Sequence, residues 1–423
     1  MDNVALRHYT FGIIGFGLLV ACGQNFERPI EPATSAAQSA SPPYRIVDDF
    51  QHDKGTHPAA QLIEVNGTLY GTTQRGGKYK VGTVYSIDPT GAFKVLHHFG
   101  EAGDGAQPVA GLIDVDGTLY GTTENGGTSG TGTVFAISTS GSEDVLYNFS
   151  NGSDGGHPLA PVIDVAGTLY GTTGSGGALN CKEGSVSGCG TVYSLSTSGT
   201  EHVLHSFGGG SDGALPFAGL LDVKGVLYGT TVGGGPYYSS SGGDGTVFRI
   251  TTAGDETVLH SFTGRDGSEP VAALISVNGK LYGTTSSSGK PHIGEGTVFS
   301  MSTSGVEKVL HFFTDDKTDG QEPEAPLVDV GGTLYGTTYL GGVPAPYGVG
   351  GPGTIFSVSL GGKEKVLYRF SNTAGEWPLA GLIAVDNVLY GTTSVGGTHC
   401  PRSYPIGCGT VFAFTTKATK GSR

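Results

Sequence analysis

The sequence predicts an all-β fold, a seven-bladed β-propeller of four-stranded antiparallel blades whose N-terminal strand completes the last blade. Three observations predict it. The motif LYGTT occurs seven times, beginning at Leu69, Leu119, Leu169, Leu227, Leu281, Leu334 and Leu389. Its successive starts are 50, 50, 58, 54, 53 and 55 residues apart, a period typical of supersecondary units that cannot bury their apolar faces alone. Four short apolar runs make up each unit, and their order is circularly permuted: the fourth type comes first, at residues 46–50, and the third type comes last, at 409–414. An open solenoid gains nothing from that offset, whereas a ring gains closure, because the first strand ties both ends of the chain into one blade.

Composition agrees. Gly supplies 76 of 423 residues and Pro 21, while charged residues are only 14%, a mixture suited to short strands and tight turns. The net charge is −14. Removing residues 1–21 deletes Asp2 and Arg7 and leaves that charge unchanged. The 23 Lys and Arg form no run, so the basic footprint of a nucleic-acid-binding protein is missing. Cations, neutral glycans and proteins remain as partners.

In chain order, Arg7 and His8 precede an apolar run at 11–20, too short for the roughly 20 residues of a spanning helix and typical of a signal peptide. Leu19-Val20-Ala21-Cys22 follows. It resembles the lipobox of bacterial lipoproteins, which implies cleavage after residue 21 and lipidation of Cys22. Gly23 rather than Asp after that Cys implies, by the enteric sorting pattern, an outer-membrane lipoprotein. Residues 23–43, rich in Ala, Ser, Pro and Gln, read as a flexible tether reaching roughly 70 Å at most. The propeller is expected over 44–416, with a C-terminal tail at 417–423.

The second unit illustrates a blade. Residues 112–115, 119–123, 133–137 and 145–149 are β-branched or aromatic runs bounded by turn residues. Asp116-Gly117 joins the first two as a tight hairpin, and Ser138-Thr139-Ser140-Gly141 joins the last two. The loop between the second and third strands varies most. In a propeller it shares a face with the loop leading into the next blade, which concentrates variation on one rim. Within LYGTT, alternation puts Tyr70 and Thr72 on one blade face and Leu69, Gly71 and Thr73 on the other. A mid-strand Gly marks close approach, and the expectation is that each Tyr ring lies over the bare Gly of an adjacent blade.

LYGTT, GTVF, VLHSF and the Gly-Gly two residues after LYGTT resemble the GloVer tandem-repeat family of bacterial envelope proteins, which carry interchangeable anchors. The resemblance covers residues 44–416 and implies the propeller and an envelope location. It implies no chemistry. Departures are Gly-Val-Leu-Tyr at 225–228 and Ser288-Gly289 in place of Gly-Gly. A weaker likeness to kelch repeats supports the same fold.

Four cysteines remain after Cys22: Cys181 with Cys189 and Cys400 with Cys408, each pair within one variable loop. They fall in the third and seventh blades, so each loop is expected to close on its own disulfide, and four thiolates split across the ring cannot form one tetrahedral metal centre. Asp104, Asp154, Asp212, Asp266 and Asp319 each precede Gly in the loop entering an inner strand. They read as turn caps, the alternative being an acidic rim for Ca²⁺. Glu64, Asp114, Asp164, Asp222 and Asp329 in the inner strands read as hairpin-end carboxylates. His97, His205, His260 and His311 recur at one place in the outer strand, where a ring holds them apart. They read as structural.

No nucleophile elbow, zincin motif or phosphate loop is present, so no catalytic residue, metal or cofactor is assigned. The singular rim aromatics Trp377, Tyr79, Tyr237, Tyr238 and Tyr347 are the candidate ligand-binding residues. The expected function is a monomeric, non-catalytic propeller, attached to the membrane only by its lipid, that binds a protein or glycan through its rim. One alternative is an extracytoplasmic polysaccharide hydrolase or lyase with a carboxylate site at the channel mouth. The other is a structural module in envelope assembly. Unlike residues around a carboxyl of strongly raised pKa at that mouth would favour the enzyme.

Overall fold

A computed structural model describes residues 43–177, 181, 188–236, 243–287, 295–314, 316, 318–342, 350–400 and 406–416. The expected signal peptide, Cys22, most of the tether and the C-terminal tail lie outside them. Seven four-stranded antiparallel sheets follow one another around a ring. The first blade comprises Ile63–Val65, Thr68–Thr73, Thr83–Ile87 and Phe93–His98. In the second, Ile113–Val115, Thr118–Thr123, Thr133–Ser138 and Glu143–Asn148 match the four expected runs to within two residues. A single 3₁₀ turn, Gly210–Asp212, is the one helical element among the described residues.

The last blade is a composite of the two ends of the chain. Ile383–Val385, Val388–Thr393 and Thr410–Thr415 are completed by Tyr44–Asp49, which pairs antiparallel to Thr410–Thr415 with Tyr44 opposite Phe414 and Asp49 opposite Thr410. The closure predicted from the permuted strand order is thus the one observed.

The core lies between blades. One cluster joins Tyr70, Val84 and Phe99 of the first blade to Leu112, Leu119, Phe135 and Ile137 of the second. The Phe that follows each outer strand points edge-on at the aromatic of the next blade's third strand, as in Phe99–Phe135 at 5.1 Å and Phe50–Tyr85 at 5.1 Å, a favoured quadrupolar arrangement. Phe50 therefore carries the ladder across the chain's closure.

LYGTT is explained by these seams, with one correction. Gly71 sits opposite Tyr85 of its own blade, and Gly121 opposite Phe135. A Cβ on Gly121 would lie 2.6 Å from Phe135 Cζ and 2.8 Å from Leu112 Cδ2. The bare backbone therefore admits the aromatic of the same blade, not the Tyr of a neighbour. Tyr70 instead fills the seam toward the next blade. The first Thr of the motif bonds across the seam, with Thr72 Oγ1 donating to Ala110 O at 3.1 Å and Thr392 Oγ1 to Pro58 O at 3.1 Å. The second pairs with the Thr of GTV in its own blade, as in Thr73–Thr83 at 2.9 Å.

Candidate functional site

In each blade a residue immediately before proline leads the chain into the inner strand: His57, Gln107, His157, Leu215, Glu269, Glu322 and Trp377. All seven have positive φ, between 52° and 61°. This backbone region costs a non-glycine residue about 1–3 kcal/mol, so the conformation needs external support. Two hydrogen bonds supply it. Trp377 N–H donates to Pro352 O of the preceding blade at 2.9 Å, and its carbonyl accepts from Ser394 N–H at 3.1 Å. Glu322 likewise donates to Glu295 O at 2.8 Å and accepts from Tyr339 at 2.9 Å, while His57 donates to Cys408 O at 3.0 Å across the closure. These bonds form a belt that fixes seven side chains of five residue types on the face that also carries the variable loops.

Two residues beyond each belt position, the chain presents Ala59, Val109, Leu159, Phe217, Val271, Glu324 and Leu379. All are half-buried, while the next residues alternate inward to burial, so these side chains line the throat. A Cβ on Gly174 would meet Leu159 Cδ1 at 3.2 Å and Phe217 Cε1 at 3.1 Å; the residues that follow LYGTT therefore project into the same space. Six throat positions are apolar, and Glu324 is the exception.

Glu324 stands in an acidic sector built by the fourth to sixth blades. Burial, with repulsion from Glu322 and Glu269, raises its pKa to about 8. Burial raises Glu322 to about 7, assisted by Glu295 and Glu269. Burial and Asp244 push Glu269 up as well. Tyr339, its hydroxyl pKa raised by burial and by Glu324 and Glu322, packs 5.7 Å from the Trp377 ring. Elsewhere on the mouth the residues change sign: Arg75 acts on both His57, whose pKa burial lowers to about 4, and Glu124. The mouth thus combines an aromatic pair, protonatable carboxyls and the Arg75 guanidinium.

Of the candidate aromatics, Trp377 reaches this site. Tyr79 does not join it: its hydroxyl donates to Glu101 Oε1 at 2.8 Å, and Lys78 Nζ lies 4.6 Å from its ring centre. Tyr237, Tyr238 and Tyr347 lie outside the described residues. Cys181–Cys189 and Cys400–Cys408 are disulfides, and the carbonyls of Cys189 and Cys408 belong to the belt. The loop aspartates cap turns as expected, with Asp104 Oδ2 accepting from Gly100 N–H at 3.0 Å and Asp212 Oδ2 from Gly208 N–H at 2.7 Å. The inner-strand carboxylates close hairpins, as Asp222 does with Gly225 N–H at 2.8 Å. Sequence reasoning missed Glu322, Glu324, Glu269 and Tyr339. Aligning the repeats on their X-Pro dipeptide exposes them, since Glu324 alone interrupts an apolar column.

The fold is shared with solved structures at low identity. A streptogramin B lyase matches at 14% identity and TM-score 0.56, covering 88% of this chain and 97% of its own. An ancestral GH74 enzyme matches at 10% and 0.52, covering 87% and 49%. A putative 6-phosphogluconolactonase from Bacteroides uniformis matches at 16% and 0.50, covering 77% and 88%. No curated protein matches the chain. The Gloeobacter/Verrucomicrobia repeat model matches residues 34–241 and 237–422, the same repeat expected from LYGTT and GTVF, and the chain therefore belongs to that family.

Proposed function

We propose that this protein is an envelope propeller, held to the outer membrane by lipidated Cys22, that binds a glycan at its channel mouth. One observation carries the reading: the Tyr339–Trp377 pair, with centroids 5.7 Å apart, flanks Glu322 and Glu324 at the entrance to an otherwise apolar throat. Aromatic faces stack on the apolar faces of sugars, and a protonated carboxyl both donates to and accepts from hydroxyls. The acidic sector disfavours phosphorylated ligands. The test is a glycan array with the full chain, alongside Trp377→Ala, Tyr339→Ala and Glu324→Gln. Loss of bound glycan in the variants supports the site, and retention in all three removes it. Anchoring is tested separately by mass spectrometry of wild type against Cys22→Ser.

A second reading, a hydrolase or lyase acting at the same mouth, is favoured by the raised pKa values of Glu322 and Glu324, about 7 and 8. A carboxyl protonated near neutrality suits general acid catalysis. The lyase, lactonase and GH74 structures bear on the fold alone. A glycan that binds both wild type and Glu324→Gln but is turned over only by wild type would select this reading.

A further inference from the structure

The seams between blades repeat a second constellation, away from the channel. Four combine an outer-strand histidine, the aspartate of the following loop and the first glutamate of the next blade's outer strand. They are His97–Asp104–Glu143, His205–Asp212–Glu256, His260–Asp266–Glu307 and His311–Asp319–Glu364. In each, one nitrogen and two carboxylate oxygens lie within 4.8 Å of one another. The imidazole is held edge-on against the Phe two residues on, at 4.8 Å for His97–Phe99 and 4.9 Å for His260–Phe262.

Turn capping accounts for the aspartate, and in three seams the aspartate in turn holds the histidine by a hydrogen bond, but nothing of this kind accounts for the glutamate. Where the loop has Ala374 instead, both partners vanish together, and Tyr368 stacks on Tyr44 at 4.1 Å. Where Asp48 occupies the histidine position, it pairs with Lys54 at 3.2 Å and the next blade supplies Phe93 in place of Glu. One seam keeps Asp154 and Glu201 but carries Tyr147. Six of the seven seams thus keep or lose the three residues together, and the Tyr147 seam changes the histidine alone.

A second observation points to an occupant. Oε1 of Glu143, Glu256, Glu307 and Glu364, and of Glu201 at the Tyr147 seam, is buried and has no hydrogen-bond partner among the described residues, and neither has Nε2 of His311. An unpaired buried carboxylate oxygen is costly; it recurs at all five seams that keep the glutamate, and at four of them a histidine adds a nitrogen ligand. The histidine–aspartate separations are 3.0, 3.1 and 3.0 Å where the two groups are hydrogen-bonded and 3.8 Å at His311, where they are not. Two ligands at tetrahedral angles on a cation with bonds of about 2.0–2.1 Å stand ~3.3 Å apart, a value inside that span.

We propose that these four seams are binding sites for a divalent transition cation of the Zn²⁺ class, each held by one imidazole and two carboxylates contributed by two blades. The imidazole selects against Ca²⁺ and Mg²⁺, which take oxygen ligands. Three protein ligands leave one position to water or to a group from a partner. Each cation joins adjacent outer strands, which are otherwise the least enclosed part of the ring.

The test uses the full chain without an affinity tag, stripped with chelator and titrated with Zn²⁺ at about pH 7.5, the bound metal being counted after dialysis. About four equivalents are expected, with a rise in melting midpoint that Ca²⁺ does not reproduce. Glu143→Gln, Glu256→Gln, Glu307→Gln and Glu364→Gln each remove one equivalent, while Glu201→Gln at the tyrosine seam removes none. Unaltered circular dichroism shows that each variant folds. No bound Zn²⁺, or binding that ignores the four glutamates, overturns the proposal. So does a result in which the variants change only the pH dependence of melting, because the seams then hold protons alone.

Discussion

Replacing Gly121 by Ala tests the packing that makes LYGTT obligatory. The Gly121 backbone is extended and free of positive φ, so the only new feature is a methyl 2.6 Å from Phe135 Cζ and 2.8 Å from Leu112 Cδ2. Neither group can retreat easily, because Phe135 is 0% and Leu112 2% exposed. Overpacking of a filled core costs roughly 1–3 kcal/mol. Reduced freedom of the unfolded chain returns about 0.4–1 kcal/mol, leaving a net loss of about 1–2 kcal/mol. Phe135→Leu alone costs a similar amount by leaving a cavity. In the double variant the smaller side chain gives the methyl its space, so the two losses do not add, and the favourable coupling is about 1–2 kcal/mol. Urea melts of the four chains measure it. A Gly121→Ala variant as stable as wild type, or losses that simply add, would refute the claim that this glycine exists to admit the aromatic of its own blade.

Glu322 and Glu324, with pKa values near 7 and 8, bind protons in the folded chain that the unfolded chain releases near 4.5. Their contribution to stability is therefore lost as pH rises between about 4.5 and 8. Glu322→Gln with Glu324→Gln is expected to melt above wild type at about pH 8.5 and level with it at about pH 4; parallel pH profiles would contradict this. Trp377 has a φ of 58°, so Trp377→Gly should be more stable than Trp377→Ala by about 1 kcal/mol although both lose the aromatic platform; equal midpoints would show that the belt does not strain this residue. Each disulfide closes a short loop, and Cys181→Ser/Cys189→Ser or Cys400→Ser/Cys408→Ser is expected to lower stability by roughly 2.5 kcal/mol, with peptide mapping of the wild type yielding no cross-loop pairing. Deleting residues 44–50 removes the last blade's outer strand together with Phe50. It should abolish the single cooperative melt, and an unchanged transition would deny that this strand closes the ring.

Much of the architecture was legible because each blade repeats local rules. The Asn66-Gly67 and Asp116-Gly117 hairpins have positive φ at both central residues, as these dipeptides demand. The permuted strand at Tyr44–Asp49 was readable from strand order alone. The partner of the mid-strand glycine was not. The period of two gives the face of a strand but not which side chain the register sets opposite it, and Gly121 meets Phe135 only because their strands pair in that register. The candidate site was half legible. Trp377 stood out as the lone tryptophan, whereas Glu324 resembles any surface glutamate until its six apolar counterparts are seen around one throat.

The sequence by itself determined the number of blades, the closing strand and the pairing of cysteines within loops. Each follows from short-range pattern and from the period, which leave a ring little freedom. Only the tertiary structure decided which side chains meet across a seam or a mouth. Glu143 reaches His97 and Asp104 from the next blade, and Glu269, Glu322 and Glu324 act on one another from neighbouring blades. Their shifted protonation depends on burial and on charges brought close by ring closure. That is a property of distance in space, which separation along the chain does not encode.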